Sequence, residues 1–204
     1  ALSVGYEALD QAEMLAHPYT LAYTHNYMAR LHQCRREAPE AQAEAEASLT
    51  ICTAHGFNLY VAGGHILCGW ALAAQGQTED GAAQLRQGLS TWRATGAGLT
   101  VPYYLALLAT CVEESEMGLE ALREGLTVMG KSQERFYEAE LHGLMGELLR
   151  RTAKPDEQQA EACLQQALDV ARQQGATSLE LRSATRLGQL WRDQGKSDAA
   201  WRLL

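Results

Sequence analysis

Lysine is almost missing from this chain: Lys131, Lys154 and Lys196 are the only three in 204 residues. Lysines and arginines together number 17 against 25 carboxylates, a formal net charge of −8. A phosphate-binding surface needs clustered cations, so no nucleic-acid partner is expected. Only after Arg182 does arginine become dense enough for a small basic patch. No apolar run approaches the roughly 18 residues of a membrane span, and no signal peptide stands at the start. No membrane partner is therefore expected. No stretch alternates Val, Ile and Thr with polar residues, so strand signals are lacking and the class is all-α. The five cysteines form no CxxC pair and sit inside helical stretches. That usage suits reduced thiols packed as small hydrophobes and a cytoplasmic setting.

Alanine and leucine are abundant, and apolar residues make up 47% of the chain, ample for a continuous core. A phrase also recurs. Gly76-Gln77-Thr78-Glu79-Asp80-Gly81-Ala82-Ala83-Gln84-Leu85 returns as Gly195-Lys196-Ser197-Asp198-Ala199-Ala200-Trp201-Arg202-Leu203-Leu204. Fainter copies start near Gly118 and Ala160, and glycines at 56, 96, 130 and 175 close helical stretches. Two-helix units recurring every ~34 to 45 residues mark a helical repeat array.

Periodicity and breakers predict about eleven helices, at roughly 3–16, 19–35, 39–55, 58–75, 78–95, 102–114, 116–130, 134–152, 156–174, 177–194 and 196–204. Thr78 is the expected N-cap of the fifth. The pattern reads as one repeat domain over residues 1–204. A partial unit (1–17) is followed by helical pairs over 18–56, 57–96, 97–130 and 131–175, then by a last, shortened unit (176–204). The expectation is a fragment of a longer protein. Glycines inside helices, each costing about 1 kcal/mol against alanine, predict close approach of paired helices.

The pattern resembles the tetratricopeptide repeat. Leu187-Gly188, Trp191, Gly195, Ala200 and Leu204 fall at the family's spacing, as do Met145-Gly146, Leu149, Ala160, Leu164 and Ala167, and Cys68-Gly69, Leu72, Gly76, Gly81 and Leu85. Met28-Ala29 and Leu108-Ala109 mark weaker copies. The resemblance implies a right-handed superhelix, an α-solenoid of antiparallel helix pairs whose first helices line a concave groove. Phrases such as Leu31-His32-Gln33-Cys34-Arg35-Arg36-Glu37 and Gly69-Trp70-Ala71-Leu72-Ala73-Ala74-Gln75-Gly76 also look like the C-terminal repeat region of large bacterial signalling proteins. Those proteins join a class III adenylate or guanylate cyclase, or a transcriptional activation domain, to a STAND-type ATPase. This likeness implies a regulatory arm, without cyclase or ATPase activity of its own.

Carried over unit by unit, the resemblance places Tyr23, Asn26 and Arg30, then Ile66 and Trp70, then Tyr103 on the groove. Glu140, Glu147 and Arg150 follow, then Arg182, Gln189 and Arg192. Trp70 and Tyr103 fit core positions by the same spacing. Arg150, Arg182 and Arg192 either pair with neighbouring carboxylates or clamp one on a partner. The expected partner is a protein or peptide, including other domains of the same chain; a small-molecule inducer is the alternative. Self-association through Trp191, Trp201 and Leu203-Leu204 is a third. No cofactor and no catalytic constellation is expected. Gly195-Lys196-Ser197 lacks the earlier glycine and the strand of a phosphate loop and reads as a turn. Glu138, His142 and Glu147 read as a solvated or i,i+4-paired surface and not as metal ligands.

Overall fold

The computed structural model describes residues 1–203 and is entirely helical over them; Leu204 lies outside the described residues. Eleven helices follow in order: α1 (Leu2–Leu15), α2 (Pro18–Arg35), α3 (Ala38–His55), α4 (Asn58–Ala74), α5 (Thr78–Ala94), α6 (Val101–Cys111), α7 (Ser115–Ser132), α8 (Glu138–Arg151), α9 (Glu157–Gln173), α10 (Thr177–Asp193) and α11 (Ser197–Leu203). The expected all-α class and helix number hold. The chain divides into two compact units, Ala1–Gly98 and Leu99–Leu204.

In the first unit each helix packs on the next, and α4 also touches α2. The second unit repeats the scheme from α6 to α11, with α8 touching both α6 and α10. Short turns make consecutive helices antiparallel, which is the helical-repeat arrangement that the sequence predicts. Gly56, Gly76, Gly96, Gly175 and Gly195 all take positive φ just past a helix end, a conformation that costs glycine nothing. Gly130 does not: it lies inside α7, and Gln133 supplies the left-handed residue instead. Thr78 is the first residue of α5 and not its cap; Gln77 stands at the cap with no side-chain bond. Side-chain caps occur at His17, which accepts from the Thr20 N–H, and at Asp156, which accepts from Gln159. α6 stops three residues early because Val112 is extended. α8 begins at Glu138, after a turn that holds Arg135 and Phe136.

Both cores mix fully buried alanines and leucines: Ala22, Ala41, Ala62, Leu67 and Leu85 in the first unit, and Ala139, Ala160, Ala167, Leu122 and Leu164 in the second. Close approach is most direct between α4 and α5. A Cβ on Gly69 would stand 2.6 Å from the Gly81 carbonyl oxygen and 2.7 Å from the Leu85 nitrogen. A Cβ on Gly81 would strike the Gly69 carbonyl in return. These obstacles are backbone and cannot rotate away. Gly69→Ala should therefore destabilise the fold by about 2 kcal/mol, as overpacking does. Gly130→Ala meets nothing within 4 Å and should stabilise by up to about 1 kcal/mol through helix propensity. Urea unfolding of the two variants checks both signs.

Candidate partner-binding surfaces

On α2, tyrosines recur every four residues at 19, 23 and 27, so they share one face of the helix. All three are exposed. Tyr60, from the first turn of α4, stands edge-on to Tyr19 and Tyr23 at ring distances of 5.6 and 5.7 Å. Phe57 meets Tyr19 edge-on at 5.3 Å. Tyr23 and Tyr27 lie 4.5 Å apart, and the Arg30 guanidinium sits 5.8 Å from the Tyr27 ring centre. Edge-to-face pairs of this kind hold rings rigidly in place. Burial, with the Tyr19 hydroxyl bonded to it, pushes the Tyr60 hydroxyl above the usual tyrosine range.

Beneath the ladder Asn26 is buried, and its Nδ2 has no partner. It lies over Gly63, where a Cβ would stand 3.1 Å from that nitrogen. Neither α2 nor α4 contains a single Asp or Glu, while α1, α3 and α5 carry Glu7, Asp10, Glu13, Glu40, Glu44, Glu46, Glu79 and Asp80. The acidity of the first unit is therefore segregated away from this face.

In the second unit the corresponding helices, α8 and α10, are joined by charge. Glu140, 3% exposed, accepts from Arg182 at 3.0 Å and from Arg186 at 2.9 Å. Arg186 Nε donates to Glu147 at 3.1 Å. Its Nη1 has no partner and rests on Gly143, where a Cβ would come within 2.5 Å. Glycine there is the notch that admits the guanidinium. Burial alone would raise the Glu140 carboxyl, but Arg186 and Arg182 outweigh it and hold it below the ordinary value of 4.5. Arg150 pairs with Asp193 at 2.6 Å.

Several expected groove residues sit elsewhere. Ile66 and Tyr103 are fully buried and Trp70 is 7% exposed, so all three belong to the core. Ile66 packs on Gly88, and Tyr103 stands edge-on to Tyr137 at 4.9 Å. Tyr23 and, partly, Arg30 are accessible; Asn26 is covered. Arg150 and Arg182 are engaged within the chain, while Gln189 and Arg192 are exposed. Trp191 and Leu203 pack against the Leu164–Leu187–Leu190 cluster, whereas Trp201 is 83% exposed. Tyr19, Tyr27, Tyr60 and Arg186 did not figure among the expected sites. The four-residue tyrosine spacing was the available signal for the first two.

The remaining chemistry resolves into packing. Glu138 pairs with Arg135 at 2.6 Å, and His142 is held below its usual range by burial. His32 bonds Glu37 at 2.7 Å, across the α2–α3 turn. Lys196 is bound to Glu161 at 2.9 Å in the α10–α11 turn. Burial pushes the Cys68 thiol up to about 12, far from a nucleophile's range. No helix of the described residues is long and apolar enough to cross a membrane.

Two outcomes follow. Trp70→Ala should cost about 3 kcal/mol of stability, as loss of a buried indole does, measured by urea unfolding. A depressed carboxyl contributes stability above its unfolded pKa and loses it as pH falls through the folded one. The stability gap between the native chain and Glu140→Gln should therefore be full at pH 7 and shrink below about 4.5, read by chemical denaturation at each pH.

No family model matches the chain. An uncharacterized protein of Rhizobium meliloti (strain 1021) is 31% identical over 121 residues, which are 58% of this chain and 12% of that protein. The matched region thus spans about an eighth of that relative's length.

Proposed function

We propose that this chain is a non-enzymatic interaction and regulatory module that captures a protein or peptide on the face shared by α2 and α4. The aromatic ladder of exposed Tyr19, Tyr23 and Tyr27 braced by half-buried Tyr60 carries this reading. Aromatic rings fixed by one another lose little entropy on binding, and Tyr and Arg are the residues most often found as hot spots. Exposed aromatic residues gathered on one helix face mark an interaction site. The absence of carboxylates on both helices favours a partner that offers acceptors.

The wider setting is a cytoplasmic bacterial signalling protein, with a tetratricopeptide-like arm beside a nucleotidyl cyclase or STAND ATPase. Its support is the sequence resemblance and a match to a short stretch of a much longer relative. In that setting the arm restrains an output domain, or recruits a partner, until the face is occupied.

Selection of a displayed peptide library on the native chain tests the binding face. Peptides so obtained should lose about thirty-fold in affinity for a Tyr19→Ala, Tyr23→Ala, Tyr27→Ala variant, the effect of losing a hot spot of about 2 kcal/mol. The variant's helical circular dichroism should be unchanged. Equal affinity for both proteins would place the binding site elsewhere.

A further inference from the structure

The α2–α4 face also specifies the chemistry of its ligand, an inference that rests on the interaction role proposed above. Both helices of this seam are in place and touch each other. In the second unit the matching seam, between α8 and α10, is taken up by Glu140, Arg182, Arg186 and Glu147. Here it holds rings instead, from Phe57 through Tyr19 and Tyr60 to Tyr23, and on to Tyr27 along α2.

The four phenols are joined in two pairs. The Tyr19 hydroxyl donates to the Tyr60 oxygen at 3.4 Å, and Tyr23 is hydrogen-bonded to Tyr27. Each hydroxyl has one proton, so a bond between two of them engages one proton and leaves the other. Neither α2 nor α4 has an Asp or Glu to accept it, and helical carbonyls already accept from amides one turn on. Each pair thus keeps one donor for a ligand.

That requirement separates the kinds of occupant. A docked helix brings side chains, but its own carbonyls are already hydrogen-bonded. A strand brings free carbonyls but docks by extending a sheet edge, and the described residues are entirely helical. A polyproline II segment has no internal hydrogen bonds, so every one of its carbonyls is open to a donor. Its conformation is set before binding, and its proline rings pack on aromatic side chains. From Tyr19 to Tyr27 α2 rises about 12 Å, and four residues of polyproline II cover about the same length. The tyrosines already brace one another, so little ordering is left for the moment of binding.

Charge adds a second requirement. The two helices carry no carboxylate, and the Arg30 guanidinium lies 5.8 Å from the centre of the Tyr27 ring. A guanidinium has five N–H donors and can lie beside a ring while bonding a carboxylate.

We propose that the α2–α4 seam binds a proline-rich segment of a partner protein in the polyproline II conformation. Its proline rings lie on Tyr19, Tyr60 and Tyr23, its carbonyls accept from the phenols, and an acidic residue meets Arg30.

The probe is fluorescein-labelled Pro-Pro-Pro-Pro-Pro-Pro-Glu-Glu, titrated with the native chain and read by anisotropy. Saturable binding is expected, and Gly-Ser-Gly-Ser-Gly-Ser-Glu-Glu, equal in charge but flexible, should bind about ten-fold more weakly. Replacing the glutamates by lysines should weaken binding about ten-fold to the native chain, and Arg30→Glu should reverse that preference. Tyr19→Phe with Tyr60→Phe keeps both rings and removes both hydroxyls. That variant should bind the probe about five-fold more weakly, with helical circular dichroism unchanged. Absence of saturable binding, or affinity indifferent to the loss of proline, of the glutamates or of the two hydroxyls, overturns the proposal. So do library-selected peptides that lack proline yet lose affinity for the Tyr19, Tyr23, Tyr27 variant, in which case the interaction role stands and polyproline recognition does not. Selected peptides indifferent to that variant overturn both.

Discussion

The rest of the structure depends on backbone meeting backbone. At Gly69 and Gly81 the facing helices leave no room for a side-chain carbon on either partner. The same economy recurs where Leu164 lies 2.7 Å from a Cβ built on Gly146, and Ile66 2.8 Å from one on Gly88. Helices that approach this closely exclude water along their whole length, and dispersion accumulates over many weak contacts. Consecutive antiparallel packing then needs only short turns, and glycines with positive φ supply five of them. Cohesion is thus provided by the smallest residues, and the large polar and aromatic ones are left for other uses.

The two units use that freedom in opposite ways. Helices α2 and α4 carry no carboxylate, and their phenol rings brace one another at the surface. Between α8 and α10 the equivalent space holds Glu140, Arg182, Arg186 and Glu147, which pair with one another. A buried pair of this kind adds modest net stability, because desolvation opposes attraction, yet losing one member strands the other. One face therefore remains open toward a ligand and the other is closed on itself, with little difference in the helices beneath.

Much of the fold was legible in the sequence. Positive-φ glycines, the proline positions and the 3.6-residue period marked all eleven helices, since these residues report backbone geometry directly. The misplaced boundaries lie where geometry has no distinctive residue. Val112 ends α6 in an extended conformation that any residue adopts, and Gly130 is helical although a closing glycine would look the same in sequence. The groove was less legible. A repeat register assigns positions to a face, but burial depends on what the neighbouring helix brings to it, so Ile66, Trp70 and Tyr103 went to the core. The Arg186 salt bridges needed both the glycine notch at 143 and a carboxylate more than a helix away in sequence. No local pattern encodes that coincidence.

The exposed ladder on α2 has a practical side. Tyr19, Tyr23 and Tyr27 project from a helix whose attachment rests on Ala22, Ala29 and Met28, all buried on its other side. Positions that touch solvent and positions that hold the helix in place are thus disjoint sets on a single 18-residue element. A combinatorial library confined to residues 19, 23 and 27 would vary chemistry without varying architecture. The natural chain has the same latitude, so repeats of this type can diversify what they recognise while the scaffold that displays it stays constant.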